Sequence, residues 1–196
     1  MKTLFVGTGN LNKLKEIDGI FKKNGLDITL KCPKDFADSS EPIEDGLTFV
    51  DNASIKAEFY FNKYHLPCIG EDSGITIEYF NNEPGVHSKR FLGFLNDHDK
   101  NEYILRLMKD VKNRKACFHT AICYIDENGT KHIFEGRNEG EISTYQAGDE
   151  GFGYDPIFYI PSLNKTEAEL GLAYKNEHSH RAVAMKKFVE YLRNEE

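Results

Sequence analysis

Glu71, Asp72 and Ser73 stand together between Gly70 and Gly74, with Cys68-Ile69 before them and Ile75-Thr76-Ile77 after. Two adjacent carboxylates repel each other, so a structure that gathers them needs a cation or several hydrogen-bond donors in the space they face. Mg²⁺ suits such a place, being a hard ion held by one or two carboxylates and completed by water and phosphate oxygens. A solvated acidic turn is the other reading. The short flanks rich in Ile and Thr predict strands, and the glycines predict a turn between them.

A second group with chemical potential is Thr8, Gly9, Asn10, Leu11, Asn12 and Lys13. It follows the apolar run Leu4-Phe5-Val6 and precedes Leu14, Ile17, Ile20 and Phe21 at helical spacing. A strand, a turn and a helix start aim backbone N–H groups and the positive end of the helix dipole at whatever fills the turn, which suits phosphate. Lys13 adds a full charge. The stretch matches neither the P-loop pattern nor G-x-G-x-x-G, and a helix entry capped by Asn with no ligand reads equally well.

Thr48 and Asp51 have capping-box spacing and predict a helix to about Lys63, on which Asn52 and Lys56, four apart, share a face. Glu44 precedes it, placed either to favour the helix dipole or to turn toward a metal. In Gly151-Phe152-Gly153-Tyr154-Asp155-Pro156 the glycines leave the Phe152 ring unshielded, ready to stack on a nucleobase or to tuck into the core. Ser179 reads as the N-cap of a final amphipathic helix. His180 and Arg181 then fall in its first turn, where cations oppose the dipole and call for an acceptor nearby or for full solvation.

The elements that must position these groups alternate in type. Beyond the strand and helices already named, Tyr103, Ile104, Leu107, Met108 and Val111 have helical spacing, and residues 116–125 and 131–136 flank the turn Asp126-Glu127-Asn128-Gly129 as a hairpin. Residues 141–145 and 157–160 read as short strands, residues 33–44 as a surface loop, and Thr166 with Glu169 as a capping box opening a short helix. Hairpins beside strand–helix units imply a mixed sheet in an α/β fold.

The 196 residues suit one domain, with or without two lobes, and 39% hydrophobic with 29% charged residues is ordinary for a soluble globular chain. A net charge of −7 argues against nonspecific binding of nucleic acid, which needs many Lys and Arg contacts to phosphates, while leaving a small phosphorylated ligand open. Cysteines at 32, 68, 117 and 123 have neither C-x-x-C spacing nor matching histidines, so neither a zinc site nor a redox motif is expected. The N-terminal apolar run is too short for a signal peptide and no segment has membrane-spanning length, from which a cytoplasmic protein with no membrane partner is expected.

In chain order, Thr8-Gly9-Asn10-x-x-Lys13, Gly46-x-Thr48-Phe49-x-x-Asn52-Ala53-x-x-Lys56-Ala57, Asp72-Ser73-Gly74, Pro84-Gly85, the stretch from Gly151 to Pro156, and Ser179-His180-Arg181 resemble the Ham1, or inosine triphosphate pyrophosphatase, family from near the first residue to near the last. The resemblance implies a homodimeric, Mg²⁺-dependent enzyme, with Mn²⁺ able to substitute. Such an enzyme converts ITP, dITP and XTP to the monophosphate and pyrophosphate by attack at the α-phosphorus. It also implies a single domain over residues 1–196, a long mixed sheet with helices forming two lobes around a cleft.

By the same resemblance Thr8, Gly9, Asn10, Leu11, Asn12 and Lys13 bind the triphosphate, with Lys56 as a second phosphate cation. Glu44 and Asp72 are the metal carboxylates, and Asp72 is also the proton acceptor. Ser73 follows Asp72 in the substrate pocket, and Phe152, Gly153, Tyr154, Asp155, Lys175, His180 and Arg181 form the nucleoside-binding set. Glu71 stands where many members have Asp, and its longer side chain is able to shift the metal or a water. Phosphate anhydride hydrolysis needs charge neutralisation, an in-line water and a proton acceptor, and Lys13, Lys56, Glu44, Glu71 and Asp72 supply those types. A donor from Lys175, His180 or Arg181 aimed at a 6-oxo group would favour hypoxanthine over adenine. A nucleotide-binding sensor without turnover, and a pyrophosphatase for other modified nucleotides, are the competing functions.

Overall fold

The computed structural model describes residues 2–94 and 96–195. The chain opens with β1 (Lys2–Val6), α1 (Leu11–Lys23) and β2 (Ile28–Lys31), and continues through a 3-10 turn at Pro33–Phe36 to α2 (Phe49–Tyr64) and β3 (Cys68–Ile77). Then follow α3 (Asp97–Leu107), β4 (Lys115–Ile125), β5 (Lys131–Ile142), β6 (Phe158–Ile160), β7 (Lys165–Thr166), α4 (Glu167–His178) and α5 (His180–Asn194). The seven strands form one sheet in the order β2-β1-β3-β4-β5-β6-β7. It is mixed, as expected: β1 pairs in parallel with β2 and β3, whereas β6 is antiparallel to β5 and β7.

The chain divides into two units interleaved along the sequence, the first comprising residues 1–72, 120–136 and 181–196, the second residues 73–119 and 137–180. The first unit is cored by Leu4, Val6, Ile17, Phe21, Ile122 and Phe188, with a further cluster of Phe5, Ala53, Ala57 and Tyr60 under α2. The second is cored by Ile75, Ile77, Ile104, Phe118, Ile157 and Phe158. All four cysteines are free, and Cys32, Cys68 and Cys123 are buried. Among the described residues no helix is long and apolar enough to cross a membrane.

Both capping boxes form as read: Thr48 Oγ1 accepts from Asp51 N and Thr166 Oγ1 from Glu169 N, each acid bonding back to the cap amide. The acidic stretch departs from expectation. Residues 68–77 are not two strands around a turn but one continuous ten-residue strand, nearly all of it buried. Local glycines and acids favour a turn, but successive side chains of a strand point to opposite faces, which parts Glu71 from Asp72 more cheaply than a bend does. The short strand expected at 141–145 is also absent as a separate element, since Glu141 and Ile142 complete β5. Val111 lies beyond α3, and α4 reaches past Lys175 to His178.

Gly70 lets α2 lie directly on β3, because a Cβ there would stand 2.1 Å from the Ala53 carbonyl oxygen and 2.5 Å from the Ala57 nitrogen. This close approach is what brings Lys56 beside Glu71 and Asp72. Gly70→Ala is therefore expected to lower unfolding free energy by about 3 kcal/mol, the upper range for overpacking a filled core, as read from urea denaturation. A change below a few tenths would show that helix and strand have room to separate.

Candidate active site

In the first unit, β3 distributes its two acids to different partners. Glu71, 2% exposed, takes Lys13 Nζ of α1 at 2.7 Å and Arg181 Nη2 of α5 at 3.1 Å. Arg181, 1% exposed, is shared with Glu16 of α1 through Nη1. Asp72 faces α2, where Asn52 Nδ2 donates to Oδ2 at 3.1 Å and Lys56 Nζ approaches Oδ1 at 3.3 Å. Lys56 also donates to the Glu71 carbonyl at 3.1 Å and meets Glu44 Oε2 at 2.6 Å. Asn52 Oδ1 accepts from Gly46 N at 2.9 Å, so one amide ties the chain ahead of α2 to the Asp72 carboxylate.

The electrostatics follow from burial and pairing. Burial alone would raise the Glu71 pKa, but the charges of Arg181, Lys13 and Lys56 prevail and hold it well below the usual carboxylate range. For Asp72 burial wins over Lys56 and Lys13, and its pKa is raised. Desolvation works against the Lys56 ammonium, yet Asp72 and Glu44 raise its pKa overall; Lys13 is instead lowered by burial despite Glu71. Arg181 is likewise desolvated, and Glu71 and Glu16 keep it firmly protonated.

The turn before α1 is capped from within. Asn10 Oδ1 accepts from Asn12 N at 2.9 Å and Lys13 N at 3.4 Å, and Thr8 Oγ1 accepts from Asn10 N at 3.1 Å. The amides of Gly9 and Leu11 are left without an acceptor among the described residues. Gly9, Asn10, Leu11 and Asn12 are exposed, as a ligand-binding turn requires.

In the second unit, Phe152, Asp155 and Lys175 converge. Asp155 Oδ2 takes Lys175 Nζ at 2.6 Å and Phe152 N at 2.8 Å, and the Lys175 ammonium stands 4.7 Å from the centre of the half-buried Phe152 ring. Gly151, at φ +87°, allows this closure, since a Cβ there would meet Asp155 Oδ2 at 2.1 Å. Asp97 and Asn101 of α3 hold Gly153 by its amide and carbonyl, both at 2.9 Å. Phe152, Gly153, Asp97 and Asn101, with Gln146 and Pro156, line an open hollow of about 370 Å³. Tyr154 is buried, its hydroxyl donating to the Ser88 carbonyl at 2.7 Å. His180 stacks on Phe118 with ring centres 4.6 Å apart, and Ser73 continues β3 immediately after Asp72.

Thus Lys13, Glu44, Lys56, Glu71, Asp72 and Arg181 form one network in the first unit, and Phe152, Gly153, Asp155 and Lys175 gather in the second. Glu71, read from sequence with Glu44 and Asp72 as fixing the metal and orienting or deprotonating a water, and Arg181, read as a donor to the base, both join the buried ion network with Lys13 and Glu16. Sequence reasoning missed Glu16, Asp97 and Asn101. The one available sign for Glu16 is its place three residues after Lys13, on the same helix face. Among the described residues no three His, Cys, Asp or Glu side chains are grouped to share a metal. Glu44 and Asp72 do converge on one cation, the Lys56 ammonium, so their oxygens fit a divalent ion held by two carboxylates and completed by phosphate and water.

A model described as the Ham1 family matches residues 4–191. The chain is 43% identical to a dITP/XTP pyrophosphatase of Leptospira interrogans over 98% of both chains, and 40% identical to one of Halalkalibacterium halodurans over 98% of this chain and 100% of that one. Among solved structures, a HAM1 protein from Coxiella burnetii superposes with TM-score 0.87 at 36% identity, covering 99% of this chain and 100% of the other. The Ham1 protein of Staphylococcus aureus gives TM-score 0.87 at 31% identity over 100% of both.

With its folded pKa held below the ordinary 4.5, Glu71 contributes stability that is complete above that pH and fades as pH falls through the folded value. Glu71→Gln removes one of the carboxylates that meet the buried Arg181 and is expected to cost roughly 3 kcal/mol at pH 7. The loss of stability on acidification below pH 4.5 should also become shallower, as read by urea titrations at several pH values. An unchanged slope would mean the carboxylate is not paired in the fold.

Proposed function

The chain belongs to the Ham1 family, and from that membership and its own ion network we propose that it hydrolyses non-canonical purine nucleoside triphosphates, ITP, dITP and XTP, to the monophosphate and pyrophosphate. The observation that carries this reading is the buried Lys56 ammonium held between Glu44 and Asp72. It sets a cation and two carboxylates, one of them the proposed proton acceptor Asp72, within one small volume, which is what phosphoryl chemistry requires.

Lys13, Lys56 and the exposed turn from Gly9 to Asn12 provide cationic and N–H contacts for a polyphosphate. Glu44 and Asp72 would hold Mg²⁺, with Mn²⁺ as a substitute, and the ion would neutralise charge on the phosphate oxygens. Asp72, its carboxylate oriented by the Asn52 amide at 3.1 Å, is the acid placed to accept a proton from a water. Glu71, already saturated by cations, acts by fixing Lys13 and Arg181. Arg181 accordingly serves the purine indirectly, as part of that frame.

Base recognition is assigned to the second unit, where Phe152 offers a ring face and Lys175 a donor fixed by Asp155. A fixed donor favours an oxo group and leaves an amino group facing a second donor. Homodimeric assembly and a cytoplasmic setting belong to the same proposal and rest on the family resemblance.

A panel of triphosphates assayed with Mg²⁺ tests the reading. Pyrophosphate release from dITP and XTP is expected to exceed that from dATP and dGTP in kcat/KM by about a hundredfold or more. Orthophosphate as the product, or equal rates across the panel, would overturn it, and tight binding without release would indicate a sensor. In the same assay Asp72→Asn is expected to lower kcat by about a hundredfold or more with the urea midpoint retained. Near wild-type turnover would remove Asp72 as proton acceptor.

A further inference from the structure

Residues 38–46 form neither helix nor strand, yet they are pinned to α2 at four successive levels. Gly46 N donates to Asn52, Glu44 pairs with Lys56, and the Ser40 carbonyl accepts from Tyr60 Oη at 3.1 Å. At the far end Asp38 takes Lys63 Nζ at 2.7 Å and the Tyr64 hydroxyl. The helix positions 52, 56, 60 and 63/64 share one face, so the segment runs back along α2 as a strap, rung by rung.

The last rung is the most heavily bonded. The Asp38 carboxylate accepts not only from Lys63 and Tyr64 but also from Ser40 N at 2.9 Å and Ser40 Oγ at 3.0 Å, while Lys63 reaches Ser40 Oγ at 2.7 Å. Its side chain is 12% exposed and that of Lys63 40%, so the rung lies at the surface and holds by the number of its bonds rather than by burial. Glu44, by contrast, is half-buried and among the described residues pairs with Lys56 alone. A carboxylate on an irregular segment keeps its place only as well as the segment's ends are tied.

We propose that Asp38 is a positioning residue. By locking residues 38–46 onto α2 through Lys63, Tyr64 and Ser40, it fixes where Glu44 meets Lys56 and hence where the proposed divalent ion sits. The ion's part in this rests on the function proposed above; the strap's attachment does not.

Two measurements separate the parts. Amide hydrogen exchange of the intact protein without substrate or metal reads the strap: Asp38→Ala is expected to accelerate the Gly46 amide, which donates to Asn52 at the other end of the strap, by about tenfold or more while α2 keeps its protection. Unchanged exchange at Gly46 overturns the proposal whether or not the protein is an enzyme. Pyrophosphate release from dITP reads the consequence: Asp38→Ala is expected to raise the Mg²⁺ concentration for half-maximal rate about tenfold, and to lower kcat at saturating Mg²⁺ by less than that factor.

In a Glu44→Gln background the same change is expected to add nothing, because the two residues act in series. An equal rise in both backgrounds overturns the coupling. Tyr64→Phe keeps the ring against Phe5 and Phe36 and removes a single donor. Should Asp38→Ala fail to fold, Tyr64→Phe is expected to move both readouts in the same direction by smaller factors, and no movement in either overturns the proposal.

Discussion

The constraint on which the first unit turns is the burial of a charge. Glu71 sits inside the protein, and a carboxylate there is tolerable only if cations meet it with good geometry. Lys13 from α1 and Arg181 from α5 do so, and Arg181 needs Glu16 in turn. One buried acid thereby fixes how two helices stand against β3. Because a strand alternates its side chains, the next residue is free of that knot and faces the other helix. Asp72 consequently has its own hydrogen-bond partners, and burial raises its pKa beside a neighbour whose pKa is depressed.

The second helix face obeys a different logic. Along α2 the polar groups are spaced by one turn and receive a segment with no regular structure of its own, so the helix acts as a template for its neighbour. Chemistry borne by loops is common because loops reach where rigid elements do not, but reach without attachment is imprecision. Here the attachment comes from side chains whose aromatic bodies also fill the cluster around Phe5.

Features decided within a few residues were legible in the sequence. Thr48 with Asp51 and Thr166 with Glu169 are short-range bonds, and the turn from Asp126 to Gly129 joins β4 to β5 where its composition says it should. Features decided at a distance were not. Glu71 and Asp72 look like turn residues until Arg181, 110 positions away, and the α2 side chains are seen to receive them. Glu16 looks solvated, since nothing near it announces a partner 165 residues on. For the candidate site, the residue types were readable, and the division of labour between Glu71 and Asp72 was not.

The alternation along β3 also bears on what kinds of change the strand can absorb. Exchanging an apolar residue for one of similar volume disturbs packing locally. Removing one residue between Cys68 and Gly70 would transpose every later side chain to the opposite face, giving Arg181 the shorter acid and Lys56 the longer, and turning the glycine's gap away from α2. The strand is thus tolerant in composition and intolerant in length, and insertions or deletions should be confined to the connections outside it.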